Sequence, residues 1–94
     1  MIKNAKAKGT RNEARSKRIL EAAGFRVTRA AGSLGLWDLI GLGPHGAVVC
    51  QVKTRDWPGT IELRELAEDC AWGYVARIIH RWRDRHTQPD VRIL

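Results

Sequence analysis

Two apolar segments separated by a tight-turn signal, within residues 36–55 (LWDLIGLGPHGAVVCQVKTR), constrain the fold more than any other feature of the chain. The four-residue linker, GPHG at 43–46, combines proline and glycine, which favour tight turns. Segments 37–43 and 46–54 therefore predict a β-hairpin. Both of its faces are apolar near the turn, which is typical of a sheet covered by other elements on both sides.

Three polar residues interrupt this apolar pattern at the open end of the hairpin. With a two-residue turn at positions 44–45, Asp38 lies opposite Gln51 on the paired strands. Because side chains alternate along a strand, Lys53 lies on the same face as Gln51, whereas Trp37 is expected on the opposite, apolar face. Burying such polar groups singly would cost several kcal/mol, so they are expected to have partners.

Two interpretations account for this polar group, and the hairpin spacing alone does not choose between them. Asp38 and Lys53 could form a structural ion pair with each other. Alternatively, Asp38 and the side-chain oxygen of Gln51 could bind Mg²⁺, which prefers oxygen ligands and retains water in its other positions. The ion would then stabilise charge on a phosphodiester, and Lys53 would orient the attacking water or stabilise the developing anion.

A helix before the hairpin contributes a fourth polar side chain, Glu13. Thr10 is expected to cap this helix, with Glu13 three residues later as in a capping box, and Gly24 is expected to end it. Its buried stripe is predicted to contain Ile19, Leu20 and Ala23. Glu13 lies seven residues before Leu20, and at about 100° per residue the two side chains are only about 20° apart around the helix. Glu13 should therefore point toward the sheet.

The remaining segments predict further strands and a second helix. Residues 25–31 alternate as a strand before the hairpin. After the hairpin, a helix is expected from a cap at Thr60 to Gly73, followed by strands at 74–83 and 89–94. A longer helix that continues through 74–83 is the alternative interpretation of that segment. The predicted order is α-β-β-β-α-β-β. It indicates an α+β or mixed α/β domain, with helices packed on a central sheet of about five strands.

The composition favours a polyanionic partner, most simply nucleic acid. The chain of 94 residues carries 17 Lys and Arg against 10 Asp and Glu, a formal net charge of +7. Its length predicts one domain, with residues 1–9 as a mobile basic arm. No apolar run approaches the roughly 20 residues of a spanning helix, and the N-terminus lacks the apolar segment of a secretory signal. Cys50 and Cys70 lack metal-site spacing, so we expect reduced, buried thiols in a cytoplasmic protein.

Three segments, taken in order, resemble one known family. KGTRNEARSKRILEAAGF, AAGSLGLWDLIGLG and VVCQVKTR resemble the small archaeal-type Holliday junction resolvases of the PD-(D/E)XK nuclease superfamily. The resemblance covers roughly residues 8–70. In that family, a Glu on the first helix precedes a Gly-Ser loop, an Asp on one strand and Glu-x-Lys on the next. The matching positions in this chain are Glu13, Ser33, Asp38, Gln51 and Lys53.

The chain departs from the family pattern at two positions. Gln51 stands where the family usually has Glu, so its side chain offers a carbonyl oxygen without a charge, and weaker metal affinity is expected. Gln is a recurrent variant in the superfamily, and the substitution therefore does not exclude activity. Trp37 stands where a Pro usually precedes the Asp, and the pair Pro89 and Asp90 follows the Lys motif instead of preceding it.

The resemblance implies a restriction-endonuclease-like core and a homodimer that makes paired, Mg²⁺-dependent nicks in four-way DNA junctions, with Mn²⁺ as an alternative metal. The twofold symmetry of the junction would match that of the dimer. In this scheme Asp38, Gln51 and the backbone carbonyl of Val52 hold the ion. Glu13 binds a second ion or a metal-bound water. Neither an organic cofactor nor a membrane is implied.

The resemblance also implies residues that act on the DNA. Lys53 would position the attacking water, and Ser33 would contact the scissile phosphate from its loop. The positive charge adds candidate backbone contacts on the N-terminal segment, the first helix, the first strand and the residues after the Lys motif. These candidates are Lys6, Lys8, Arg11, Arg15, Arg29, Thr54 and Arg55.

Two other functions fit the same residues. A nuclease of the same superfamily could use this site on flaps, single strands or damaged duplex, because junction choice depends on dimer geometry. A non-catalytic DNA-binding module is the second alternative, in which Gln51 would mark lost chemistry. Glu13, Asp38 and Lys53 are all retained, which favours an enzyme.

Overall fold

A computed structural model of the chain describes residues 5–30, 35–69 and 75–94, apart from the side chains at positions 5 and 6. Along the chain its elements are α1 (Ala5–Ala22), β1 (Arg26–Arg29), β2 (Leu39–Gly43), β3 (Gly46–Thr54), α2 (Thr60–Glu68), β4 (Val75–Trp82) and β5 (Asp90–Ile93). Three residues named above, Ser33, Cys70 and Gly73, lie outside the described residues.

The strands form one five-stranded sheet in the spatial order β1-β2-β3-β4-β5. β3 and β4 are parallel, whereas the other neighbouring pairs are antiparallel. α2 lies in the connection between the two parallel strands, because parallel neighbours need a crossover rather than a tight turn. The prediction of a mixed α+β architecture, with helices and a mixed sheet of five strands, is confirmed at this level.

The β2–β3 hairpin has the predicted register, in which Ile40 pairs with Val49. The predicted side for Trp37 is wrong, because β2 begins only at Leu39 and strict alternation does not extend back to residue 37. Trp37 packs in the core on the α2 side of the sheet, and its Nε1 donates a hydrogen bond to Asp69 Oδ2 at 2.5 Å.

The sheet separates two apolar clusters. The cluster on the α1 side contains the buried residues Leu20, Leu39, Val48 and Cys50. The cluster on the α2 side contains Trp37, Val49, Leu66 and Ile79. Successive residues of β3 point to opposite sides, so this strand supplies both clusters and is apolar on both faces.

Helix α1 begins at Ala5, earlier than predicted. Residues 5–9 are therefore helical, whereas the sequence interpretation had the helix begin at Thr10. Ala and Lys are strong helix formers, and they outweigh the cost of about 1 kcal/mol that Gly9 imposes on the helix. Thr10 and Glu13 consequently lie inside the helix and do not form the predicted capping box.

The end of α1 agrees with the prediction for Gly24. This residue has a φ of +104°, a conformation that glycine adopts without the steric penalty of a Cβ atom. The N–H of Phe25 donates to the carbonyl of Leu20 at 3.1 Å, and the N–H of Gly24 donates to that of Glu21 at 3.0 Å. These two bonds form a Schellman motif, which satisfies carbonyls that the last helical turn leaves free.

The face of α1 that packs on the sheet is partly polar. Its buried residues, four positions apart along the helix, are Asn12, Ser16 and Leu20. Ile19 is only half-buried and Ala23 is exposed, so the predicted apolar stripe is correct only for Leu20. The two polar members of this stripe have partners on the sheet, which is why their burial is tolerated.

A buried polar network joins α1 to β4. Ser16 Oγ accepts a hydrogen bond from Trp82 Nε1 at 2.8 Å and lies 2.8 Å from His80 Nδ1. Burial lowers the pKa of His80, so its imidazole is neutral at pH 7. The network fixes the position of α1 along β4. It therefore also fixes where Glu13 lies relative to the sheet, because Glu13 is one turn before Ser16 on the same helix.

Two further predictions concern single residues, and a third concerns the helices. Thr60 is the first residue of α2 and Gly59 is its N-cap, so the predicted cap at Thr60 is wrong by one position. Cys50 is a buried free thiol, as predicted, and burial raises its pKa to about 12. Within the described ranges, neither helix is long and apolar enough to span a membrane.

Candidate active site

The polar residues of the hairpin meet at the start of β2, where Asp38 extends the sheet with its side chain. The Asp38 N–H donates to the carbonyl of Cys50 at 3.0 Å, although Cys50 pairs with Leu39 in the hairpin register, so Asp38 and Leu39 both face this one residue of β3. Asp38 Oδ2 accepts a hydrogen bond from the Val52 N–H at 2.7 Å. A carboxylate therefore occupies the position in which a backbone carbonyl would otherwise continue the ladder.

The backbone carbonyl of Val52 faces the same gap. The N–H and C=O groups of one strand residue point toward the same neighbouring strand. Because the Val52 N–H points to Asp38, the Val52 carbonyl also opens on this side of β3. The carboxylate and this carbonyl, both predicted as metal ligands, therefore lie on the same side of β3.

Gln51 is nearly buried, with 7 % of its surface exposed. Its Nε2 donates to the Leu36 carbonyl at 3.1 Å and to Glu62 Oε2 at 3.2 Å. Both partners are acceptors, so the amide cannot be turned over without placing an oxygen against two oxygens. Gln51 Oε1 is buried and has no hydrogen-bond partner among the described residues. Such an atom is rare in folded proteins and requires an explanation.

Lys53 pairs with a residue that the sequence interpretation did not include. Its Nζ lies 3.2 Å from Glu62 Oε1, and both side chains are about one-third exposed, at 30 % and 35 %. Among the described residues, Asp38 and Lys53 do not form an ion pair, so the structural pairing that their spacing allowed does not occur. Glu62 takes the role of partner and joins Lys53 to Gln51 through its two oxygens.

Glu13 approaches the site from α1. Its Oε1 accepts a hydrogen bond from Arg29 Nε on β1 at 3.0 Å, and its side chain is 21 % exposed. This contact confirms that Glu13 faces the sheet. Arg29, expected to contact DNA, is paired with a site carboxylate in the free protein.

The pKa of Asp38 shows that these side chains share one electrostatic environment. Burial is the largest cause that raises this pKa, and the negative charges of Glu13 and Glu62 raise it further. The Val52 N–H and the Lys53 ammonium act in the opposite direction. A divalent cation beside Asp38 would favour the ionised carboxylate and would offset the effect of burial.

The oxygen atoms around Asp38 are of the kinds that a hard divalent cation prefers as ligands. In the described part of the chain, no three carboxylate, imidazole or thiolate side chains form a metal-ligand group by themselves. The candidate set instead combines the Asp38 carboxylate with two carbonyl oxygens, Gln51 Oε1 and the backbone oxygen of Val52. Oxygen ligands completed by water are those that Mg²⁺ prefers, and Gln51 Oε1 lacks any other described partner.

Two of the predicted DNA contacts lie around one surface carboxylate. Lys8 Nζ lies 3.0 Å from Asp84 Oδ1. The pKa of Asp84 is lowered chiefly by its hydrogen bond to Lys8 and also by the charges of Arg55 and Arg85. Arg11 is exposed on α1, the helix that also carries Lys8. These basic side chains therefore lie at the surface, where a phosphate backbone could reach them.

Two other predicted contacts serve the fold. The Arg15 guanidinium stacks 3.8 Å from the centre of the Trp82 ring, and Thr54 Oγ1 accepts a hydrogen bond from Asn12 Nδ2 at 2.9 Å. These contacts tie α1 to the ends of β3 and β4. Two predicted side chains, Lys6 and Ser33, lie outside what the structure describes.

Glu62 is the site residue that the sequence interpretation missed. It lies four positions before the buried Leu66, so both residues share the helix face that packs on the sheet. The sequence did contain a signal for Glu62. It is a carboxylate on the face of a short helix that packs on the sheet, nine positions after Lys53. The network of Ser16, His80 and Trp82 was also missed, because its members are far apart along the chain.

Comparisons with protein-family models, curated protein sequences and solved structures found no match to this chain. Its function is therefore inferred from the geometry of the site and from the order of the motif residues.

Proposed function

We propose that this protein is a metal-dependent DNA endonuclease that resolves four-way junctions. In this proposal it has a restriction-endonuclease-like core, acts as a homodimer in the cytoplasm and uses Mg²⁺, with Mn²⁺ as an alternative. Two features of the sequence support the proposal. One is the order of Glu13, Asp38, Gln51 and Lys53 along the chain, and the other is the net charge of +7.

One observation carries the proposal. Gln51 Oε1 is buried without a described partner, and Gln51 directly precedes Val52, whose N–H donates to Asp38 Oδ2. A buried, unpaired oxygen costs about 1–3 kcal/mol. A bound cation would remove this cost, and it would also relieve the repulsion that Glu13 and Glu62 exert on Asp38. A purely structural cluster would give no reason to leave this oxygen without a partner among the described residues.

Each residue has a defined role in the proposed reaction. Asp38, Gln51 and the Val52 carbonyl would hold the ion. When bound, Mg²⁺ supplies charge stabilisation for the phosphodiester and lowers the pKa of a coordinated water. Lys53 would orient the attacking water. Glu13 would bind a second ion or a water molecule of the metal.

Two rearrangements follow from the ion pairs of the free protein. Lys53 is held by Glu62 and Glu13 is held by Arg29, so each must adjust when phosphate and metal enter. These pairs are partly exposed, and such pairs are worth only about 0–1 kcal/mol. Arg29 would then be free to contact the DNA backbone, as expected from its charge. Ser33 keeps its proposed role at the scissile phosphate.

The proposed homodimer has a candidate surface on the edge strand β5. Val91 and Ile93 are 56 % and 76 % exposed, and they lie on the same face of that strand. Edge strands of monomeric proteins usually carry charges or other features that prevent pairing with another chain. Sedimentation analysis of the wild type and of Ile93→Lys would test this assignment, with a monomeric variant and a dimeric wild type as the expected outcome.

The decisive assay compares labelled four-way junction, matched duplex and flap substrates in Mg²⁺, Mn²⁺ or EDTA. Paired symmetric nicks in the junction alone, dependent on metal, are expected. Nicking of flaps or single strands with equal efficiency would assign the site to another nuclease activity. Asp38→Asn should abolish nicking while junction binding is retained, and wild-type cleavage by this variant would contradict the proposed site.

A non-catalytic DNA-binding module is the second candidate. The ion pairs that neutralise Lys53 and Glu13 in the free protein favour this alternative. It predicts junction binding without cleavage in either metal. It also predicts that substitutions at Asp38 and Lys53 leave the affinity for junction DNA and the absence of cleavage unchanged.

A further inference from the structure

Glu62 connects the two motif residues of β3 that the proposed chemistry needs. It lies in the first turn of α2, with Oε1 at 3.2 Å from Lys53 Nζ and Oε2 at 3.2 Å from Gln51 Nε2. Both oxygens of one carboxylate are therefore directed at the end of β3. A residue whose only role was to solubilise the helix would point away from the sheet.

The contact with Gln51 determines which end of that amide remains available. Gln51 Nε2 donates to the Leu36 carbonyl and to Glu62, so neither of these two acceptors is a partner of Oε1. That oxygen is the buried atom without a described partner. Glu62 therefore orients the amide so that its oxygen, and not its NH₂ group, is presented to the neighbouring space.

The charge at the site gives Glu62 a second purpose. Asp38 and the two carbonyl oxygens provide one negative charge between them, and Lys53 beside them carries a positive charge. A divalent cation in such a set would meet little net attraction. Glu62 lies near enough to act on Asp38 electrostatically, and it contacts the residue that offers an amide in place of a carboxylate.

We infer that Glu62 supplies the second carboxylate of the cation site, and with it the negative charge that Gln51 lacks. The inference rests on the proposed metal-dependent function and assigns a residue from a different element to that function. On metal binding, Glu62 would exchange its contact with Lys53 for the cation or for a water bound to it. Lys53 would then be released toward the phosphate.

Metal affinity, measured without DNA and without turnover, tests this assignment. Calorimetric titration of Mn²⁺ would compare the wild type with Glu62→Gln, Gln51→Glu and the double variant Gln51→Glu/Glu62→Gln. Glu62→Gln should weaken binding at least tenfold. The double variant should restore affinity to within a few-fold of the wild type, because it moves the carboxylate from α2 to β3 without changing the net charge.

The matched control is Glu65→Gln, which removes the same charge from the exposed face of α2. It should leave Mn²⁺ affinity within twofold of the wild type. Each change preserves side-chain size, so all variants are expected to be folded. Circular dichroism in EDTA is the control, above all for Gln51→Glu, which places a carboxylate oxygen where Gln51 Nε2 donates to the Leu36 carbonyl.

The possible outcomes separate this inference from the proposed function. If Asp38→Asn loses Mn²⁺ binding but Glu62→Gln retains it, Glu62 is only a structural partner of Lys53, and the metal site stands without it. If the double variant fails to recover affinity that Glu62→Gln has lost, the assignment of Glu62 as a charge donor is also overturned. If the wild type binds Mn²⁺ no better than Asp38→Asn, the proposed metal-dependent function itself fails.

Discussion

Asp38 meets opposite requirements from folding and from the proposed chemistry. Its carboxylate completes the hydrogen bonding of β3 through the Val52 N–H, yet burial and two nearby carboxylates make the ionised form unfavourable. An asparagine would keep the acceptor oxygen without the charge. The wild-type residue is therefore expected to reduce the stability of the metal-free protein, as active-site groups commonly do.

We predict that Asp38→Asn raises the melting temperature in EDTA at pH 7. The folded state raises the pKa of Asp38, so its ionisation favours unfolding at every pH above the folded-state pKa. This penalty disappears as the pH falls through the raised pKa toward the unfolded value of about 3.9. The difference in melting temperature between wild type and variant should therefore become smaller as the pH is lowered from 7 to 4, as measured by thermal unfolding. An equal difference in melting temperature at both pH values would show that the ionisation of Asp38 is not its cause.

The elements that carry the site are held together by contacts outside it. Helix α1 carries Glu13, and its position on the sheet depends on the buried hydroxyl of Ser16 between His80 and Trp82. At the other end of the same helix, Gly24 allows the chain to turn into β1. Both features can be tested by small substitutions with a matched control on the same helix.

Ser16→Ala should destabilise the protein by about 1–3 kcal/mol, since it leaves the buried indole N–H of Trp82 without its acceptor. Thr10→Ala removes a hydroxyl from an exposed position of the same helix and should change stability by less than about 0.5 kcal/mol. Urea denaturation of both variants makes the comparison. Equal effects at the two positions would show that the buried network does not hold α1.

The two glycines of the α1 region should respond in opposite directions to alanine. Gly9 lies inside the helix with open space where a Cβ atom would project, so Gly9→Ala should stabilise by about 0.5–1 kcal/mol. Gly24 also has open space, but its positive φ strains any residue with a Cβ atom. Gly24→Ala should therefore destabilise by about 1–2 kcal/mol. Denaturant midpoints would check both signs, and stabilisation by both would reject the helix end described above.

At the scale of the whole molecule, the net charge favours the proposed polyanionic partner. The chain carries a net charge of +7, and Lys8, Arg55 and Arg85 lie around one acidic residue, Asp84. Binding to a phosphate backbone releases counterions, so the affinity should fall steeply with salt concentration.

We predict that Arg55→Ala and Arg11→Ala each reduce the slope of log affinity against log salt concentration by about 1, because each would remove one phosphate contact. Lys17→Ala is the matched control, since Lys17 is paired with Glu21 on α1 at 3.2 Å. Fluorescence anisotropy with a labelled junction at several salt concentrations would measure the slopes. Equal slopes for the Arg55 variant and the wild type would exclude this surface from the DNA interface.

Much of the sheet was predictable because its signals are local. The alternation on each side of GPHG determined the β2–β3 register, and Gly24 marked the end of α1. Helix starts were less predictable, since Ala5–Gly9 and Thr60 carry competing signals for helix and for cap or coil. Trp37 was misplaced because alternation applies only where the chain is extended.

The sequence alone determined the mixed architecture and the hairpin register, and it predicted a polar group of Asp38, Gln51 and Lys53 at the open end of the hairpin. These follow from side-chain alternation and turn chemistry, which act over a few residues. Only the tertiary structure decided that Glu62, and not Asp38, pairs with Lys53, and that Gln51 keeps a buried oxygen without a described partner. Those contacts depend on how α2 lies across the sheet, which is set by packing between distant segments and by no local pattern.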